Sequence, residues 1–307
     1  MGNYTASIRA KAIDSKARIL LPEQKDPRVQ EATLEMESLG FTIVQVEDFR
    51  ENTDIYVDFI KRKSFTNHWP DDNIRLYLEN PLHFAMTMVA HDDADCLVAG
   101  AVTASSEVIR SAIRIVGISP ESKWVSSIFF MVSPDGDAGY TFADCAVIPE
   151  PDSKQLAAIA ADSAAFHQLL THVEPKVAFL SFSTKGSADH YRVDRVKEAV
   201  HIFSKKHPDI LHDGELQFDA AFNREVNVSK ASDSPLKGEA NVFVFPNLDA
   251  GNIAYKITQY LAGYSAWGPL LQGLNKPVHD LSRGCSVEDI INVASVAAVQ
   301  RTQYANL

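Results

Sequence analysis

Toward the end of the chain, Lys276-Pro277-Val278-His279-Asp280-Leu281-Ser282-Arg283-Gly284-Cys285-Ser286-Val287-Glu288-Asp289 brings hydroxyl, guanidinium, thiol and carboxylate groups into one short stretch. Ser286 followed three residues later by Asp289, ahead of the apolar run Ile290, Ile291 and Val293, is a capping-box signature. The spacing therefore predicts a helix starting at Ser286, with Arg283 just outside its N-terminus. Unpaired backbone N–H groups and the positive end of the helix dipole favour an anion there, and arginine adds planar donors suited to phosphate. The same residues also allow a plainer reading, in which Ser286 and Asp289 only cap the helix and Arg283 pairs with Asp280. Cys285 would be acidified beside a helix N-terminus, which raises the possibility of a covalent acyl-enzyme. A small cysteine here can equally be a packed filler.

Other segments carry polar groups at strand ends. Ser183, Thr184, Lys185 and Ser187 lie at the end of an expected strand that starts at Val177 and just beyond it, as either a ligand-binding loop or a solvated strand–helix turn. Asn247 and Asn252 flank another such turn, to orient a substrate or to cap a helix at Gly251. Asp213, Glu215 and Gln217 alternate, which as a strand pattern places all three on one face. Arg110 and Arg114 are four apart on one helical face. Asp92, Asp93 and Asp95 could suggest a cation, although a turn before a strand selects the same residues. The sequence has no G-x-G-x-x-G, P-loop, G-x-S-x-G or H-E-x-x-H pattern.

The elements that must position these groups alternate between strands and helices. Ala17–Leu21 reads as a strand, Asp26-Pro27 opens a helix that Gly40 ends, and Phe41–Val46 returns as a β-branched strand, forming a βαβ unit. Cys96–Ala99 is a further strand, and Ser105 or Ser106 is expected to cap the next helix. Val125–Val132 begins a second region, followed by a helix over Ser153–Leu170, a strand over Val177–Ser183 and a helix over Asp189–Lys206. A strand over Asn241–Pro246, a helix over Gly251–Ala262 and a final helix over Ser286–Arg301 complete the series. The fold class is α/β with mainly parallel sheets. The domains are expected at 1–122 with 276–307, and at 123–275.

Composition bounds the function. With 307 residues, 46% of them hydrophobic, the chain can bury a core in each of two domains. Forty acidic against 29 basic residues give a net charge of −11, which argues against nonspecific attraction to nucleic acid or an anionic membrane, so an anionic substrate must be gathered by local arginines. Three scattered cysteines without a CxxC pattern indicate neither a disulfide framework nor a zinc cage. The lack of a signal segment or membrane-length apolar run leads to the expectation of a cytoplasmic protein.

The segment Asp280-Leu281-Ser282-Arg283-Gly284-Cys285-Ser286 resembles the hallmark of the phosphate acetyltransferase (phosphotransacetylase) family. Further blocks resemble that family in order: Leu20-Leu21-Pro22-Glu23 with Asp26-Pro27-Arg28-Val29, Asp93–Ala101, Phe179–Ser187, Asp213–Gln217, Phe245–Asn247 with Gly251–Lys256, and Gly268–Gly273. The resemblance implies reversible acetyl transfer between acetyl phosphate and coenzyme A. It implies two α/β/α domains with an inter-domain cleft, of the isocitrate/isopropylmalate dehydrogenase type, in a homodimer. It also implies coenzyme A as substrate with no permanently bound cofactor and no metal. Carried over by motif, Asp289 draws the proton from the thiol of coenzyme A, while Ser282 and Arg283 stabilise the developing charge and Arg110 holds the phosphoryl end. Substrate contacts are expected from Ser183, Thr184, Lys185, Ser187, Asn247 and Asn252. Direct transfer in a ternary complex leaves Cys285 outside the chemistry.

The sequence departs from the family pattern at two points: Ile60 stands where a family arginine belongs, with Arg62 as its substitute, and His279 replaces an asparagine before Asp280. The first domain also looks shortened after its βαβ unit. The alternatives are a phosphate butyryltransferase-like enzyme and a non-catalytic acyl-CoA-binding regulatory protein. Proton transfer from a thiol near pKa 8.5 to an aspartate near 3.9 is uphill by roughly 6 kcal/mol, so the site must stabilise the thiolate or raise the aspartate.

Overall fold

A computed structural model of the chain describes residues 3–304. In chain order the elements are α1 (Asn3–Asp14), β1 (Arg18–Leu20), α2 (Pro27–Leu39), β2 (Thr42–Val44), α3 (Thr53–Ile60), α4 (Asp71–Glu79), α5 (Pro81–Ala90), β3 (Cys96–Ala99) and α6 (Ser105–Ser111). They continue as β4 (Ser126–Val132), β5 (Gly139–Ala143), α7 (Ser153–Thr171), β6 (Lys176–Leu180), α8 (Tyr191–Lys206), β7 (Leu211–Leu216), α9 (Phe218–Phe222) and α10 (Arg224–Lys230). The last are β8 (Val242–Val244), α11 (Leu248–Ala262), β9 (Ser265–Gln272), β10 (Val278–Asp280) and α12 (Val287–Tyr304). The chain divides into two compact units, one of Thr5–Lys123 with Gly273–Leu307 and one of Met1–Tyr4 with Trp124–Gln272.

The first of these units holds a four-stranded sheet in the order β10-β3-β1-β2, parallel throughout. The βαβ pattern is realised with its local signals in place. Asp26 accepts a hydrogen bond from the Arg28 amide, Pro27 occupies the first turn, and Gly40 closes α2 at φ 95°, a conformation glycine adopts without steric cost. Val29, Ala32, Thr33 and Met36 form the buried face of α2. β10 extends the sheet beside β3, so the chain's end completes the unit that its beginning started. Strand order reverses direction between β1 and β3, and in open parallel sheets the crevice beyond such a reversal is where ligands bind.

Between β2 and β3 the chain is helical, with α3, α4 and the almost wholly buried α5. The helix after β3 departs from expectation, because its N-cap position is Ala104 and no side chain caps it. Ser105 is instead its first helical residue, and the Ala104 carbonyl accepts from the Glu107 and Val108 amides. α6 ends in a wider turn over Ala112–Val116.

The other unit carries a six-stranded sheet in the order β7-β6-β8-β5-β4-β9. β7, β6, β8 and β5 are parallel, whereas β4 runs antiparallel to both β5 and β9. β4 is buried along its whole length, with Ser126 and Ser127 hydrogen-bonded to Gln272 and Asp144 ahead of the apolar run 128–132. α7 starts with a complete capping box between Asp152 and Gln155. α11 begins at Leu248 rather than at Gly251, because the Asn247 side chain caps it by accepting from the Ala250 amide at 2.9 Å. Gly251 lies inside the helix, and a Cβ there would come within 2.3 Å of the Asp144 carbonyl oxygen. No helix among the described residues is long and apolar enough to cross a membrane.

Candidate active site

In the first unit the loop 281–286 leaves the end of β10 as a tight turn, with the Cys285 amide donating to the Ser282 carbonyl at 2.9 Å. Ser282, Arg283 and Gly284 are exposed on that turn, while Leu281 and Cys285 pin it to the core. The capping box is present in full. Ser286 Oγ accepts from the Asp289 amide at 3.1 Å, and Asp289 Oδ2 accepts from the Ser286 amide at 2.9 Å and its hydroxyl at 2.8 Å. Asp289 is therefore a capping residue, but through one oxygen only. Its Oδ1 makes no hydrogen bond among the described residues. The Arg283 guanidinium likewise has no partner among them, so its donors face solvent or a ligand rather than Asp280.

Arg110 lies on α6, which follows β3, the strand paired with β10. It is half-exposed and held by Glu107 at 3.2 Å, and Glu107 in turn meets the buried His83 ring at 3.1 Å. Arg62 is exposed just after α3, and its side chain has no partner among the described residues. Cys285 is 6% exposed and burial pushes its thiol up, a shift that nearby Arg28 opposes. A thiol kept protonated is a poor nucleophile, which agrees with chemistry that bypasses it.

The remaining candidates belong to the other unit, and there the side chains mostly hold one another. Ser183 is fully buried, donating to Glu215 at 2.9 Å and accepting from the Ala188 amide at 3.1 Å. Ser187 Oγ accepts from the Thr184 amide at 3.0 Å, and Thr184 Oγ1 accepts from the Gln217 amide at 2.9 Å. Lys185 pairs with Asp213 at 2.5 Å. The alternating Asp213, Glu215 and Gln217 thus brace the loop after β6 from β7 and its end. Asn252 donates to the Cys145 carbonyl at 3.1 Å and accepts from Lys256 at 2.6 Å. The preceding loop is organised by Asp144, 2% exposed, which takes the amides of Ala146, Val147 and Ile148.

Three acidic or basic groups escaped notice as site builders, although each lies within a stretch that carried the resemblance. Glu23 accepts four successive amides, from Gly100 to Thr103, at 2.7 to 3.2 Å. Arg28 reaches the 281–286 loop. Asp280 is fully buried, and burial lifts its carboxyl to about 7, with the nearby Ser105 hydroxyl and Leu281 amide opposing the rise and Glu23 adding to it. Their acidic or basic type was legible in the sequence, whereas their partners, up to 257 positions away, were not. Asp92, Asp93 and Asp95 are spent on Lys276, on Tyr56 with His91, and on Arg18 with Arg301. Among the described residues no group of three or more His, Cys, Asp or Glu side chains is placed to hold a metal ion.

A parallel sheet whose strand ends present a capped helix N-terminus and an arginine without a partner among the described residues defines an α/β protein equipped to bind an anion. The chain belongs to the phosphate acetyl/butaryl transferase family, whose profile matches residues 17–298. It is 40% identical to a phosphate acetyltransferase of Thermoanaerobacterium thermosaccharolyticum, covering 96% of this chain and 98% of that protein. It is 38% identical to one from Bacillus subtilis, with 98% and 99% covered. Among solved structures, a phosphotransacetylase from Streptococcus pyogenes superposes with a TM-score of 0.90 at 34% identity, over 99% of this chain and all of that one. A phosphotransacetylase from Staphylococcus aureus gives 0.84 at 37% identity, over 97% of this chain and 99% of that one.

Proposed function

We propose that the protein transfers an acetyl group reversibly between acetyl phosphate and coenzyme A, with Asp289 as base and with Ser282, Arg283 and Arg110 as the groups that hold and stabilise the reacting oxygens. The observation that carries this reading is the divided use of Asp289: Oδ2 fixes the carboxylate to the helix cap, and Oδ1 is left to accept a proton. In the forward direction the thiol proton of coenzyme A passes to Oδ1, the sulfur attacks the acetyl carbonyl carbon, and the C–O bond to phosphate breaks. Electron density moves onto the carbonyl oxygen and then to the departing phosphate, where the unpaired Arg283 donors and Arg110 lower its energy. The positive helix end favours the thiolate as well, which reduces the uphill proton transfer.

Arg62 supplies a further cation in the same unit for substrate phosphate. In the other unit this reading assigns Ser183, Thr184, Lys185 and Ser187, together with Asn247 and Asn252, to coenzyme A. Their hydroxyls and amides act chiefly by shaping the strand-end loops, and Lys185, held by Asp213, is the one charge among them. Coenzyme A is a substrate here and not a resident cofactor, and the setting is the cytoplasm. The proposed homodimer is supported by α11, whose Ile253, Ile257, Tyr260 and Leu261 form a stripe at 53 to 83% exposure suited to packing on a second copy about a twofold axis. Purified protein mixed with coenzyme A and acetyl phosphate should raise thioester absorbance and release phosphate in equal amounts. Saturable binding of acetyl-CoA without turnover in either direction would overturn the catalytic reading.

A further inference from the structure

β1, β3 and β10 end side by side, and each is followed by a loop that carries backbone groups outside the strand and helix ladders. Such groups need partners when they are packed away from water. The first of these loops supplies partners for the other two. Glu23 collects the amides of residues 100–103, and Arg28, at the start of α2, collects carbonyls. Its Nη1 donates to the carbonyls of Arg283 and Cys285, both at 2.9 Å, and its Nη2 to the carbonyl of Ala101 at 2.9 Å. Nε and Nη2 also donate to the two oxygens of Asp26, at 3.0 and 2.8 Å, which fixes the plane of the fork.

A guanidinium has five N–H groups, and here each is matched to an oxygen. Arg28 therefore has no donor left for a substrate phosphate, in contrast to Arg283, whose donors are unspent. The two carbonyls it holds on the 281–286 loop bracket Gly284. They belong to the residue that carries the free guanidinium and to the residue just before the Ser286 cap.

We propose that Arg28 is a positioning residue of the acyl transfer, setting where Ser282, Arg283 and the start of α12 present their groups. The inference rests on the reading of Asp289, Ser282 and Arg283 as the reacting set. Leu281 and Cys285 anchor the two ends of this turn, but the exposed backbone between them is fixed by the Arg28 fork, and misplacement of a reacting group by about 1 Å costs on the order of 100-fold in rate. Lysine cannot replace the planar fork, because one ammonium cannot meet three carbonyls and a carboxylate in that geometry.

The test compares Arg28→Ala, Arg283→Ala and the double variant in thioester formation, with kcat taken per natively folded molecule by circular dichroism. The expected result for Arg28→Ala is a kcat lowered about tenfold or more, with KM for coenzyme A changed less than about threefold. In the double variant the combined loss should fall well short of the product of the single losses, because both changes act through one loop. Wild-type turnover in folded Arg28→Ala, or fully multiplicative losses, would overturn the proposal. Loss in Arg283→Ala with Arg28→Ala unaffected refutes the brace alone, whereas an unaffected Arg283→Ala removes the site reading beneath it. If Arg28→Ala does not fold, Arg28→Lys takes its place, with the same loss expected and wild-type turnover as the refutation.

Discussion

Asp289→Asn separates the two tasks of one carboxylate. In the folded protein Oδ2 receives the Ser286 amide and hydroxyl at 2.9 and 2.8 Å, and an asparagine oxygen in that place can receive both. The cap survives, but the amide nitrogen that replaces Oδ1 cannot take a proton. Loss of a general base lowers turnover by about 100-fold or more, equivalent to roughly 3 kcal/mol of barrier. Stability should hardly move, because losing a cap outright costs only about 1 kcal/mol, or about 2 to 4 °C in Tm for a chain of this order of size. Ser286→Ala is the complementary control: it removes the cap hydroxyl, leaves the carboxylate, and should lower Tm by that amount while turnover stays within several-fold. Thioester absorbance and a thermal melt on the same samples read both effects. An Asp289→Asn protein with near-normal turnover and a lowered Tm would show that this carboxylate only caps, and the assignment of the base would fall.

Other perturbations test neighbouring parts of the argument. Arg283→Ala and Arg110→Ala should raise KM for acetyl phosphate more than KM for coenzyme A, and initial-rate measurements with each substrate varied would show unchanged values if neither clamps the phosphoryl end. Gly100→Ala should lower stability by about 3 kcal/mol or more in urea unfolding, because its Cβ would lie 2.3 Å from Asp280 Oδ1 and 2.6 Å from the Leu281 nitrogen at φ +111°; a change under 1 kcal/mol contradicts that close approach. Asp280 keeps its proton up to about pH 7 when folded, whereas the unfolded chain releases it near 3.8. The folded state therefore binds the extra proton between those values, so the stability associated with this group is present below about pH 4 and is lost as pH rises to 7. Asp280→Asn should remove that fall, and unfolding curves for wild type and variant that stay parallel from pH 4 to 7 would refute it.

Local patterns carried much of the architecture into the sequence. Asp26-Pro27 and Gly40 delimit α2 because caps and breakers act on their own neighbours, and Ser286 with Asp289 announces α12 for the same reason. The apolar runs of β3 and of residues 128–132 in β4 were legible because a strand covered on both faces shows no polar alternation there. α3, α4 and α5 were not, since short helices packed on one another depend on their neighbours more than on intrinsic preference. Ser105 and Gly251 are each plausible helix starts that lie inside their helices, because the Ala104 carbonyl opens α6 one residue earlier and the Asn247 side chain caps α11 ahead of Gly251.

The sequence by itself determined the residue types available for chemistry, the helix cap that holds Asp289, and the α/β alternation, because these depend on contacts within a few positions of the chain. Only the tertiary structure decided which polar groups remain free. Parallel strand order brings residue 28 against residues 283 and 285, and residue 23 against residues 100–103, and these encounters consume Arg28 and Glu23 while leaving the Arg283 guanidinium without a partner among the described residues. The same kind of encounter buries Ser183 against Glu215. Hydrogen-bonding capacity is finite, so a side chain's role is set by which partners reach it first, and those partners are distant in sequence.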